Sequence, residues 1–199
     1  MSTNKELQEQ RMKSYFVQAT KEIIKAEGIK AVSVRNIASQ AGYSYATLYN
    51  YFRDAKDLIF ECVKEFQEEI GAYINTHKEG KKAGKEGIEA VYTGFINYFI
   101  EYPGIFELFY LEKMSDISTK PEVSEIIAQM PGNFAKEEWD YCITKQKLTP
   151  QQAAQVCSQL NLISIGLLIC FLNRRYPGDY KEFQKTVKQQ LKLILDSLY

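Results

Sequence analysis

Residues 33–52, SVRNIASQAGYSYATLYNYF, constrain the fold of this chain more than any other stretch, because they hold two short helical patterns separated by a glycine. Ser33 is placed to cap a first helix with its hydroxyl, Val34, Ile37 and Ala38 recur at helical spacing, and Gly42 supplies the backbone freedom that a tight turn requires. Ser44 is placed to cap a second helix. At about 3.6 residues per turn, taking Leu48 as the inward direction sets Ser44 and Phe52 beside it and turns Ala46, Thr47, Tyr49 and Asn50 to the opposite side. Small Ala38 lets the two helices cross closely.

The outward set is small, hydroxylated or amide-bearing, which is chemistry suited to DNA. In a helix-turn-helix the second helix enters the major groove. There Ala46 and Thr47 suit a thymine methyl, Asn50 an adenine edge or a phosphate, and the tyrosine hydroxyls phosphate oxygens. On the residues alone a second reading stands level with this one: an ordinary helical hairpin whose tyrosines cover a core.

The run G-I-K-A-V-S-V-R-N-I-A from Gly28, then A-G-Y-S-Y-A-T-L-Y-N-Y-F, then K-D-L-I at 56–59, resembles the N-terminal DNA-binding domain of tetracycline-repressor-like (TetR family) transcriptional regulators. Several elements occur together and in order over about the first third of the chain. The resemblance implies that Tyr45, Ala46, Thr47 and Tyr49 face the groove and that Ser33, Asn50, Tyr51 and Lys56 contact phosphates, with Ser44 opening the recognition helix. Family members often carry a basic residue, proline or glycine where this chain has Tyr45.

Charge fits that division. The chain is formally neutral, with 25 basic and 25 acidic residues, but residues 1–56 hold nine Lys and Arg against five Asp and Glu. That leaves the first quarter at +4 and the remainder at −4. Counterion release needs only a few well-placed cations. Lys21, Lys25 and Lys30 are expected on a solvated face, whereas Lys56 sits near the start of a helix opened by Asp54, where free amides favour a phosphate.

The polar start, MSTNKELQEQRMK, lacks the apolar core of a secretory signal, and the run Leu162 to Leu172 is far shorter than the roughly 20 residues that span a bilayer. A cytoplasmic protein with no membrane partner is the expectation. Cys62, Cys142, Cys157 and Cys170 match neither a zinc spacing nor a disulfide framework and read as buried thiols.

Nearly all of the chain reads as helix, so the expected fold is all-α: an N-terminal three-helix head with the helix-turn-helix, then a C-terminal helical ligand-binding and dimerisation domain. We divide it at 1–53 and 54–199, with the helix from residue 54 as the link. Helix 1 runs over residues 5–27 with Tyr15, Phe16, Ala19, Ile23 and Ile24 inward and Gly28 at its end. Residues 54–77 form a strut. The segment KEGKKAGKEG at 78–87 reads as a loop or frayed helix start. Helices follow over 88–102 and 105–113, with Pro103-Gly104 breaking the first. Residues 119–146 are one kinked helix or two pieces. Thr149-Pro150 opens a helix to about residue 175, and Asp179 with Glu182 opens the last.

The run Leu162 to Leu172 is apolar around its whole circumference, so one side needs cover beyond its own subunit. A second copy supplies it, giving a four-helix interface through Leu162, Ile165, Ile169, Leu172, Phe183, Val187, Leu191 and Ile194. The alternative is that both helices lie in a monomer core. By resemblance, the C-terminal domain binds a small-molecule effector. An aromatic-rich segment, with Phe95, Tyr98, Phe99, Phe106, Phe109, Tyr110 and Trp139, suits an apolar pocket, although aromatics at helical spacing are more often plain core.

An enzyme is not expected. The lone histidine, His77, has no nucleophile or second histidine nearby, no glycine loop cradles phosphate, and no cofactor or metal is called for. The favoured function is a homodimeric repressor bound to double-stranded DNA at a palindromic operator and released by a small apolar or amphipathic effector. The alternative is a helical small-molecule carrier or protein-interaction module without specific DNA binding.

Overall fold

The computed structural model describes residues 4–113, 121–145 and 148–198, which form ten α-helices and no strand. In order these are α1 (Asn4–Glu27), a 3-10 turn (Ile29–Ala31), α2 (Val34–Ala41), α3 (Tyr45–Tyr49), α4 (Ala55–Lys78) and α5 (Lys85–Glu101). Then come α6 (Pro103–Phe106), a π-turn (Glu107–Leu111), α7 (Pro121–Phe134), α8 (Lys136–Lys145), α9 (Pro150–Leu172) and α10 (Tyr180–Asp196). The fold is all-α with an N-terminal helix-turn-helix, as the sequence predicts.

The capping signals act where they were read. The Asn36 amide donates to Ser33 Oγ at 3.2 Å, the Thr47 amide to Ser44 Oγ at 3.1 Å, and the Glu182 amide to Asp179 Oδ1 at 2.8 Å. Thr149 and Gln152 form a full capping box ahead of α9. That helix stops at Leu172, short of residue 175, because Asn173 folds its side chain back onto the Ile169 carbonyl and Arg174 takes a positive φ of 55°. The 119–146 stretch is two pieces, α7 and α8, with Pro131 inside α7; residues 119, 120 and 146 lie outside the described set.

Packing divides the chain into two compact units. The first comprises Met1–Gln67 and Tyr102–Ala128. Its centre is Phe16, Ile24, Ile37, Leu48, Leu58, Val63, Phe66 and Phe106, all fully buried. Thus the first half of α4 and the segment after Tyr102 pack with the helix-turn-helix. Two expectations are corrected in this unit. Tyr15, assigned to the inner stripe of α1, is 55% exposed and lies against the ring of Tyr43, 6.2 Å between centroids. Lys21, expected on a solvated face, is buried: its ammonium pairs with Glu65 at 3.0 Å and sits 5.3 Å from the Phe66 ring centre. The aliphatic stem covers core while the charge finds a carboxylate.

The second unit comprises Glu68–Glu101 and Gln129–Tyr199. Here α5 packs on α9 and α10 around Val91, Phe95, Leu160, Leu168 and Phe183. The Tyr92 hydroxyl donates to Asn161 Oδ1 at 2.6 Å, tying α5 to α9. The glycine-lysine stretch 78–87 is held more firmly than its composition suggests. Buried Glu138 on α8 accepts the Gly84 amide at 2.8 Å and pairs with Lys78 at 3.0 Å, and α5 already begins at Lys85. One carboxylate thereby satisfies a buried amide and an ammonium together.

Helix α9 is long and apolar enough to cross a membrane by length and composition, with 28% of its apolar window buried inside the chain. The sequence expectation weighed only the run 162–172, whereas the helix that carries it extends over 23 residues.

Candidate nucleic-acid interface

Within the first unit, Gly42 closes α2 in the left-handed conformation, φ 75° and ψ 25°. Only glycine adopts this without steric cost, and it turns the chain sharply enough for α3 to start three residues later, at Tyr45. The Tyr43 amide returns to the Ala38 carbonyl at 2.9 Å, and Ala38 itself is buried, so the turn folds directly over α2.

The recognition helix α3 is only five residues long and stands on one anchor. Leu48 is 0% exposed, with Phe52 buried beyond it. A helix this short is not stable in isolation, so docking through Leu48 is what holds it helical. Tyr45 is 66% exposed and Tyr49 is 54% exposed, and Ala46 and Asn50 are exposed as well. Thr47 is half-buried, with its hydroxyl 2.9 Å from Ser44 Oγ, which fixes its orientation. Ser44 was expected beside Leu48; as the cap it is exposed instead.

The other residues expected to contact phosphates lie at the start of α2, just after α3 and at the start of α4. Ser33 is exposed, and Asn36 beside it donates to the Ala31 carbonyl at 2.8 Å, bracing the entry to α2. Tyr51 is half-buried, with its ring 6.2 Å from that of Phe16. Lys56 is half-buried in the first turn of α4, which Asp54 opens by accepting the Asp57 amide at 3.0 Å. Sequence reasoning missed Tyr43, which is partly exposed and carried on the Phe16 ring at 5.6 Å. With Tyr15 it adds a tyrosine pair to the surface of the head. Only the three-dimensional approach of α1 to the turn reveals that pairing.

The aromatic residues expected to line one pocket are divided. Phe95, Tyr98, Phe99 and Trp139 belong to the second unit, and Phe106, Phe109 and Tyr110 to the first. Phe95 lies edge-on to Phe99 at 4.9 Å, Tyr98 to Phe99 at 5.6 Å, and Tyr98 donates to Glu69 at 3.0 Å. Phe106 faces Tyr110 at 5.2 Å, and burial pushes the Tyr110 phenol well above its ordinary range. Phe95, Tyr98, Phe99, Phe106 and Phe109 are packed core, and Tyr110 is half-buried. Trp139 lines a cavity of about 220 Å³ with Lys136, Ile143, Ala153 and Cys157.

The proposed dimer residues also separate. Leu162 is 70% exposed, and Ile165, Ile169, Leu172 and Ile194 are half-buried. Phe183, Val187 and Leu191, by contrast, are buried within the chain and are corrected to core, because α10 turns that stripe onto its own subunit. Phe183 stacks on Phe171 at 4.2 Å. His77, read as a surface residue, is half-buried against the Tyr73 ring at 4.8 Å.

Comparison with known proteins agrees with this geometry. Residues 16–62 match the family model for bacterial regulatory proteins of the tetR family. The transposon Tn10 TetC protein of Escherichia coli is 28% identical over 101 residues, which are 49% of this chain and 51% of that protein. The match thus spans about half the length of this curated relative. A TetR family transcription regulator from Marinobacter aquaeolei VT8 has a TM-score of 0.65 at 17% identity, covering 97% of this chain and 98% of its own. A transcriptional regulator, FadR, from Bacillus subtilis in complex with stearoyl-CoA has a TM-score of 0.69 at 16% identity, covering 94% and 99%. At these identities the structures establish the shared fold. The helix-turn-helix built around Gly42 and Leu48 thus lies within the stretch, residues 16–62, that is similar to the bacterial regulatory proteins of the tetR family.

Proposed function

We propose that the chain is a homodimeric, DNA-binding transcriptional repressor whose paired α3 helices read a palindromic operator and that a small apolar or amphipathic effector releases it. The carrying observation is the division of α3: Leu48 fully buried, Tyr45, Ala46, Tyr49 and Asn50 exposed. In this reading Tyr45, Ala46, Thr47 and Tyr49 meet the groove, and Ser33, Ser44, Asn50, Tyr51 and Lys56 meet the backbone. Residues 1–53 are the DNA-binding part and residues 54–199 the effector and dimerisation part. The protein acts in the cytoplasm, where its operator is, and it works by binding rather than catalysis.

A second copy is the favoured cover for α9. One side of that helix is buried in its own unit through Leu160, Ser164 and Leu168, so it is a core helix with a bare side rather than a free apolar rod. Leu162 on that bare side and exposed Leu193 on α10 supply apolar surface for a two-fold contact. Two heads read half-sites roughly 34 Å apart, multiplying the specificity of one.

The B. subtilis neighbour was solved with an acyl-CoA, which directs the effector search toward amphipathic molecules. We place the effector in the C-terminal part, entering beside Trp139. A coupling of about 1–3 kcal/mol weakens operator binding five- to 150-fold. Selection of bound duplexes from a random pool at two salt concentrations tests the reading. An inverted-repeat consensus with salt-dependent affinity supports it, and recovery of no consensus at either salt overturns it.

A further inference from the structure

Helices α5 and α10 lie side by side in the second unit and are clasped at both ends of their shared length. At one end the Gln184 side-chain amide donates to Asn97 Oδ1 at 3.0 Å, and at the other Lys85 pairs with Asp196. On each helix the two clasp residues stand about twelve positions apart, so the helices are antiparallel and roughly 18 Å of each lies between the clasps.

The surface between the clasps is a trench. Two adjoining cavities of about 440 and 460 Å³ share Glu89, Thr93 and Lys188 in their linings. Its floor is apolar, formed by buried Ala90 and Val187. Its walls carry opposite charge. The α5 wall presents Glu86 and Glu89, and the α10 wall presents Lys185 and Lys188, with Lys81 added from the turn before α5. The basic wall runs on past the cavities: Lys181, Lys185, Lys188 and Lys192 are all exposed and fall within roughly 60° of the helix circumference. Among the described residues, the side chains of Lys81, Glu86, Glu89, Lys185 and Lys188 make no ion pair or hydrogen bond. Opposite charges therefore face one another across the trench without closing it.

We propose that this trench binds a small zwitterion, with its ammonium group against Glu86 and Glu89 and its carboxylate or phosphate against Lys185 and Lys188. Such a molecule complements both walls at once, whereas a simple anion or cation meets one wall and is repelled by the other. Packed helix axes lie roughly 8–10 Å apart and a two-residue chain spans about 7 Å, so a molecule of that length reaches both walls. Thr93 adds a hydroxyl between them. All of these residues belong to one unit and none of them lines the cavity beside Trp139. The trench is thus separate from the effector entrance proposed above, and its occupancy does not depend on what α3 reads.

Amide NMR of the full-length protein tests this with four probes: glycylglycine, its N-acetyl form without the ammonium, its C-terminal amide without the carboxylate, and O-phosphoethanolamine. We expect saturable shifts at residues 86–93 and 184–188 with glycylglycine or O-phosphoethanolamine, the tighter of the two assigning the anionic group. Each capped peptide binds about fivefold more weakly than glycylglycine, the worth of one exposed charge pair. Glu89→Gln weakens glycylglycine by about the same factor and leaves the N-acetyl form unaffected, while Lys188→Gln weakens glycylglycine and leaves the amide unaffected. Both side chains reach solvent, so both variants keep the fold, which circular dichroism checks. No saturable shift with either zwitterion overturns the site, and so does equal binding of capped and uncapped peptides. Shifts centred on the indole of Trp139, the one tryptophan in the chain, put the probe in the other cavity and also overturn it.

Discussion

Replacing Leu48 with alanine should detach the recognition helix while sparing the rest of the molecule. Leu48 is 0% exposed and, in a helix of five residues, is the only fully buried side chain of α3. Truncating a buried leucine costs about 2–5 kcal/mol through lost transfer free energy and an unfilled cavity. Because α3 cannot remain helical without docking, that loss falls on the local equilibrium between docked and undocked states. At about 1.4 kcal/mol per factor of ten, the docked population relative to the undocked drops roughly 30-fold or more. Operator affinity falls by the fraction of head still competent to bind. Hydrogen exchange of the amides at 45–52 gives the local effect, and circular dichroism the global one. Exchange at 45–52 should accelerate by that factor while most helical signal persists. Leu48→Met, which keeps volume, should cost under about 1.5 kcal/mol. Undiminished protection at 45–52 in Leu48→Ala would refute the idea that this one side chain holds the helix in place.

Three further outcomes follow from named contacts. Ser44→Ala removes the acceptor for the Thr47 amide and the partner of its hydroxyl, and should cost about 1 kcal/mol of local stability, measured by exchange at 45–48. Leu162→Lys places a charge on the bare side of α9; sedimentation should show the proposed dimer weakened at least tenfold with an unchanged monomer fold, and unaltered association would move the interface elsewhere. Asp196 is held below the usual carboxylate range chiefly by its hydrogen bond to Lys85. A carboxylate lowered in the native state stabilises above its unfolded pKa of about 3.9, and that stabilisation is lost as pH falls through the lower native value. Carboxyl NMR should therefore find Asp196 titrating below that range in the wild type and within it in Lys85→Met.

What was legible in the sequence was whatever depends on near neighbours along the chain. Ser33, Ser44, Thr149 and Asp179 cap as read because a cap is decided within four residues. The inward turn of Leu48 and the outward turn of Tyr49 follow from helical periodicity alone. Periodicity names a helix face but not its cover, and there the reading failed. Tyr15 lay on the predicted inner stripe yet meets Tyr43 at the surface. Phe183, Val187 and Leu191 were given to a partner subunit because nothing local shows that α10 lies on α5. Lys21 became a core residue because Glu65, 44 positions away, comes within 3.0 Å. Glu138 holds the Gly84 amide from 54 positions away, and no local signal marks it. Pro103-Gly104 was legible as a helix break, while the contact of Gly104 with Ile24 and Gly28 needed the fold.

The central claim is that the exposed side of α3 reads DNA. The most direct measurement compares the wild type with a Tyr45→Ala, Thr47→Ala, Tyr49→Ala protein on the selected operator and on an unrelated duplex, after melting and sedimentation establish that both fold and associate alike. The account predicts that preference for the operator collapses to the level of the unrelated duplex while weak, salt-sensitive binding to both remains. Retention of the wild-type preference by the triple variant would contradict it.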